Sequence, residues 1–299
     1  MILSLLMSGA VLAADAAPAP PAHDEAFWRK LAADKFVLPD GASAGDLLVE
    51  MSPLLASPDP TLRDGITYDA AAEWILRKKL LAPAEQKRLI ALWTPNLEKG
   101  IGETGNDGLL LRSFSALELS LLAARDLQES YLEPAELKAL VDDALAYLAA
   151  ERDLRGYDEQ KGWMHATAHT ADLLKFLARN PKVTAADAAR ILDGIGAKAR
   201  NAGIVFAWGE DERLASAVLA VLRRGDLDAA AWTAWLDTLA SASKGLWDAP
   251  ALDVKKFATE QNVKHLLARL YVLLYAVPEP SPKLVEARAQ VMGALEKLP

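Results

Sequence analysis

A chain of 299 residues with a formal charge of −8 and an isoelectric point near 5.2 lacks the positive footprint that displaces counterions from phosphates. This argues against a nucleic-acid or anionic-membrane binder and leaves room only for a local basic patch. The absence of cysteine removes disulfides, thiol catalysis and thiolate zinc sites. With 52% of its residues apolar, the chain is long enough to bury a large core in one helical domain or two fused ones.

Met1 to Ala14 is an apolar run closed by small residues, the pattern of a signal peptide, although its start carries no Lys or Arg. It is too short for a transmembrane span. Residues 15–24 are a Pro/Ala-rich flexible leader, and 25–299 are read as an all-helical domain. The expected location is therefore periplasmic or secreted.

From Glu25 onward apolar residues recur every three or four positions, and no period-2 run suggests a strand. The pattern predicts helices over Thr61 to Leu81, Pro83 to Lys99, Asp107 to Leu127, Pro134 to Ala150, Lys161 to Arg179, Thr184 to Arg200, Glu210 to Arg223, Leu227 to Ser243, Thr259 to Ala276 and Lys283 to Leu298. Prolines 60, 83 and 134 stand at helix starts, and Thr184 and Asp226 where N-caps belong. The expected fold class is all-α without a sheet: a curved array of antiparallel helix pairs, a HEAT-like α-α superhelix, although no fixed sequence period proves repetition.

Within this frame, Asp107 to Leu127 is apolar nearly all round, as a central covered helix is. Arg112 and Glu118 on it are costly to bury alone, so each should face a partner or an open groove, with Asp153 or Asp172 expected to pair with Arg112. Ser113 and Ser115 read as packing residues. GIGETGNDG, residues 100–108, follows a helix rather than a strand and reads as a turn, not a phosphate loop. Asn262, His265 and Arg269 form a polar stripe on a later helix.

The densest polar segment is ERDLRGYDEQKGWMHATAHTADLLKFL, residues 151–177. At about 100° per residue, His165, His169 and Asp172 share one stripe with Lys161 and Phe176. That stripe borders a core face made of Trp163, Ala166, Leu173, Leu174 and Leu177, so it is expected to line a groove. Charges alternating in sign around Gly156, Arg155 among them, fit a turn whose side chains pair with one another. Glu210, Asp211 and Glu212, with Arg213, form an acidic first turn facing the positive end of a helix dipole.

An i,i+4 histidine pair can chelate zinc or another divalent metal, but Ala166 stands where a metalloprotease carries its general-base Glu, and Asp172 is better placed to orient His169 than to share its metal. Glu103, Asp107, Glu210, Asp211 and His265 are candidate third ligands. Structural histidines and a metal-free ligand pocket remain open beside metal binding. No G-x-S-x-G elbow, S-x-x-K or cysteine supports nucleophilic catalysis.

Several blocks together resemble the uncharacterised bacterial family called domain of unknown function 2785. They are DPTLRDGITYDAAAEWI (Asp59 to Ile75), GNDGLLLRSFSALELSLL (Gly105 to Leu122), DLRGYDEQKGWMHATAHTADLL (Asp153 to Leu174), WGEDERLASAVL (Trp208 to Leu219) and NVKHLLARLYVLL (Asn262 to Leu274). The resemblance implies no activity. It does imply that Arg112, Arg155, Gly156, Lys161, Gly162, Trp163, His165, His169, Asp172 and the Glu210 to Arg213 cluster match the family's pattern. The functional expectation is a ligand or protein partner bound, without cofactor, in a polar groove of His165, His169, Asp172, Lys161, Arg155, Arg112, Glu210, Asp211, Arg213 and His265. The alternative is a metal-dependent hydrolase built on His165 and His169.

Overall fold

The computed structural model describes residues 23–248 and 250–298. The stretch expected to be a signal peptide, and most of the expected leader, lie outside these described residues. The chain is 68% helical, in keeping with the apolar period.

Helices α1 (Glu25–Ala33) and α2 (Ala44–Met51) precede the first helix that the apolar spacing predicts; Asp24 and Ser43 cap them by accepting from Phe27 N and Asp46 N. After a 3-10 turn at Ser52–Ala56 comes α3, in which π-wound Thr61–Tyr68 and Ala72–Arg77 flank one α-turn, Asp69–Ala71. The wider winding shows in the i−5 bond from Lys78 N to Glu73 O, 2.8 Å.

Helices α4 (Pro83–Trp93), α5 (Gly108–Gln128), α6 (Pro134–Ala150), α7 (Ala166–Arg179), α8 (Ala185–Asn201), α9 (Glu210–Arg224), α10 (Ala229–Ala240), α11 (Val254–Tyr275) and α12 (Pro282–Leu295) follow. Two starts differ from expectation. Asp228, not Asp226, caps α10, while Asp226 pairs with Arg224, and α11 begins five residues early because Asp253 caps it.

From α5 onward the helices alternate between two layers. One is α5, α7, α9 and α11, each packed on the next; the other is α6, α8, α10 and α12. Contacts at a nearly constant sequence offset make α5, α7 and α9 parallel: Ser113 to His169 and Asp126 to Asn180 join α5 to α7, and Asp172 to Arg213 and Ala178 to Arg224 join α7 to α9. Helix α5 is buried on every face, from Leu109 to Asp126, as its all-round apolar sequence predicts. α3 packs on α5 from the other side.

One small sheet departs from the expected absence of strands. β1 (Tyr157–Asp158) pairs antiparallel with β2 (Gly162–Trp163), Tyr157 opposite Trp163. The Asp158 carboxylate accepts from Gln160 N and Lys161 N, and Gly162 takes φ +72°, a conformation that favours glycine. This hairpin replaces the predicted first turn from Lys161, so α7 starts at Ala166. Gly156 beside it admits no Cβ, which would fall 2.2 Å from the Trp208 ring.

Candidate functional site

The hairpin is fastened by Arg63 of α3. Its guanidinium, fully buried, donates to Ser57 O (2.6 Å), Lys161 O (2.5 Å) and Trp163 O (3.1 Å) and lies 4.6 Å from the centre of the Phe114 ring. Phe114 in turn meets His169 edge-on at 4.9 Å. An arginine that the sequence reading did not single out therefore sets the height of the loop carrying Trp163 and His165.

His165 precedes α7 with φ 49° and ψ 32°, a left-handed conformation that is costly for a side-chain-bearing residue. Two contacts hold it there. Its ring stacks on Trp163 at 4.6 Å, and its Nε2 donates to the Trp208 carbonyl at 2.8 Å, leaving Nδ1 as the acceptor. Its own carbonyl accepts the first helical bond of α7, from His169 N.

One turn on, His169 shares a 2.8 Å hydrogen bond between Nδ1 and Ser113 Oγ, so Ser113 is the partner of a histidine rather than a packing residue. Burial lowers both imidazoles. His165 is held below the usual range against the opposing pull of Glu210. His169 is pushed well below it, with His165 and Arg213 acting in the same direction.

Beyond the histidines, Asp172 is buried and receives Lys175 Nζ at 2.7 Å on one oxygen and Arg213 Nη1 on the other. Together these residues wall a groove of about 570 Å³. Asp64, Tyr68 and Leu76 of α3 form one side, Leu117, Ser120 and Leu121 of α5 the floor, and Trp208, Gly209, Glu212 and Arg213 the rim at the start of α9.

Trp163 lines this groove and is 38% exposed, which corrects its assignment to the core: it belongs to the hairpin, not to the helix face. Burial raises the Asp64 carboxyl, opposed by Arg63, and raises the Tyr68 hydroxyl, with Glu118 adding to it. Glu118 itself is fully buried, and neither of its oxygens has a hydrogen-bond partner among the described residues. Burial and then Asp64 push it well above the carboxylate range, which favours its neutral form.

Of the ten residues expected to form the groove, His165, His169, Asp172 and Arg213 line it. The other six lie outside it. Arg112 is fully buried and pairs with Glu151 at 2.6 Å, not with Asp153 or Asp172, and also donates to Lys99 O and Gly100 O. Arg155 is clamped by Asp153, and Lys161 reaches Asp107 at 2.5 Å.

Glu210 is buried and accepts from Trp208 N, fixing the loop before α9, while Asp211 lies 3.8 Å from Arg269. His265 is exposed on α11, away from the groove. None of the five candidate third ligands joins the histidines: no group of three or more His, Cys, Asp or Glu side chains among the described residues is arranged to hold a metal ion. With His165 Nε2 occupied by a carbonyl, the pair lacks the donor set of a zinc site.

The family described as Protein of unknown function (DUF2785) matches residues 97–272. The chain belongs to that family. The DUF2785 region runs through α5 to α11 and holds every groove residue except Asp64, Tyr68 and Leu76, which α3 adds from outside the matched span. No curated protein and no solved structure shows a significant match to the chain. No helix of the described residues is long and apolar enough to cross a membrane.

Proposed function

We propose that the protein binds a small polar, ring-bearing ligand in the groove between α3, α5, α7 and α9. The observation that carries this is the concave meeting of aromatic faces with fixed polar groups: Trp163, Trp208, Tyr68 and Phe176 beside Asp172, Arg213, His169 and Asp64. The volume lies within the range of small-molecule sites. Indole faces stack on flat or saturated rings, while Asp172, Arg213 and neutral His169 supply hydrogen bonds that fix orientation. The left-handed His165 and the unpartnered Glu118 cost stability, and such costs concentrate at functional sites.

We read the two alternating layers as a HEAT-type array whose parallel layer presents the groove, and the apolar start of the chain as an export signal. Saturation-transfer difference NMR with a panel of sugars, nucleosides and amino acids tests the binding reading. At least one compound should receive saturation from the native protein and lose it with Asp172→Asn. A panel with no saturable, Asp172-dependent binder contradicts the reading.

A further inference from the structure

A second cavity of about 430 Å³ continues along the seam between α7 and α9, lined by Lys175, Arg179, Ser216, Leu219, Ala220, Arg223 and Arg224. Four of these seven are cations and none is an acid, on a chain whose net charge is −8. Because α7 and α9 run parallel, their first turns flank the aromatic groove and their last turns flank this cavity. Lys175 stands in the wall of both.

Basic residues at helix C-termini are favoured by the dipole, and Arg224 is accounted for in that way. It donates to Ala178 O, Asn180 O and Val183 O beyond the end of α7 and pairs with Asp226. Arg179 and Arg223 are different. Neither donates to a carbonyl nor meets a carboxylate among the described residues, so two guanidinium forks face the cavity with their hydrogen-bond donors uncommitted. The Phe176 ring carries Lys175 Nζ at 4.5 Å and the Arg179 guanidinium at 5.8 Å. Clustering like charges is unfavourable without a counter-charge, and a planar guanidinium matches a tetrahedral oxyanion with two parallel N–H bonds.

We infer that this cavity is an anion site for a phosphate-type group, held by Arg179 and Arg223 with the Ser216 hydroxyl, while the Lys175 ammonium is committed to Asp172. A ligand lying along the seam would place its ring among Trp163 and Trp208 and its acidic end here, a linkage that rests on the binding reading above. The anion site itself stands on its own lining. Calorimetric titration with inorganic phosphate at low ionic strength, where surface charge is least screened, measures it directly.

The native protein should bind phosphate saturably at one site. Arg179→Gln with Arg223→Gln, both exposed positions, should weaken binding at least tenfold with an unchanged thermal midpoint, and Trp163→Ala should leave it intact. Absence of saturable binding, or binding equal in the double variant, overturns the inference. Binding lost in Trp163→Ala as fully as in the double variant would place the anion in the aromatic groove and overturns it too. Phosphate binding together with an empty ligand panel would instead retain the anion site and count against the groove reading alone.

Discussion

Asp172 of α7 and Arg213 of α9 meet across the groove, the carboxylate buried and the guanidinium half exposed. Because Lys175 occupies the other carboxylate oxygen, Asp172 is doubly countered, so Arg213 is not needed to neutralise it. A partly exposed arginine on an already paired carboxylate adds little stability. Its value lies in position: it sets a donor at the rim where Trp208 and His169 also face.

The Arg112–Glu151 pair is the structural counterpart, sealed from solvent on both sides. Removing one member leaves the other charged and buried, so Glu151→Ala should cost about 3–5 kcal/mol in urea denaturation. A loss below about 1 kcal/mol would mean that the pair is not sealed in solution.

Stability should fall on mild acidification. His165 and His169 have folded pKa values below the unfolded value near 6.5, so below that pH the unfolded chain takes up protons first. The histidine contribution is complete above about pH 6.5 and is lost as pH drops, by up to about 1.4 kcal/mol per pH unit for each ring. Urea midpoints measured from pH 7.5 to 5 should show this slope, and His169→Gln should flatten it. An unchanged slope in that variant would contradict the assignment.

Glu118 contributes with the opposite sign. Its folded pKa is raised, so stability declines as pH rises through the unfolded carboxyl value near 4.5. Replacing the unpartnered acid by an apolar side chain of similar size removes a buried unsatisfied group, and Glu118→Met should stabilise the protein at neutral pH by about 1–3 kcal/mol. Destabilisation in thermal or urea unfolding would show that the carboxyl has a partner.

Trp163 and Trp74 separate site from core. Trp74 is fully buried, and its truncation to alanine should cost about 3–5 kcal/mol. Trp163→Ala should cost about 1 kcal/mol, because the ring is partly in water and chiefly stacks on His165. Equal losses in the two variants would return Trp163 to the core.

Local pattern carried the architecture well and the site in part. The all-round apolar run of α5 identified the central helix, and His165, His169 and Asp172 shared a face whether or not the helix began at Lys161. The helix start itself was hidden, because only backbone conformation at Gly162 and His165 separates a hairpin from a first turn. The partner of Arg112 was misread because three acids lie within reach of one guanidinium in sequence terms, and packing alone selects Glu151.

Asp64, Tyr68 and Trp208 enter the groove from distant segments, which periodicity cannot bring together. A tryptophan placed immediately before the Gly209 turn and the Glu210 to Glu212 cluster was the one available signal for that wall. Asp64 and Tyr68 lay within a block quoted for family resemblance, without any local feature marking them as site residues.

The chain contains four histidines, two in the groove and two, His23 and His265, outside it. Observing their ring resonances by NMR while the panel of sugars, nucleosides and amino acids is added reads the groove and its own control in one experiment. The binding account predicts that a panel member shifts the His165 and His169 signals saturably and leaves those of His23 and His265 in place. Shifts at His265 with none at His165 and His169, or no shift with any compound, would contradict it.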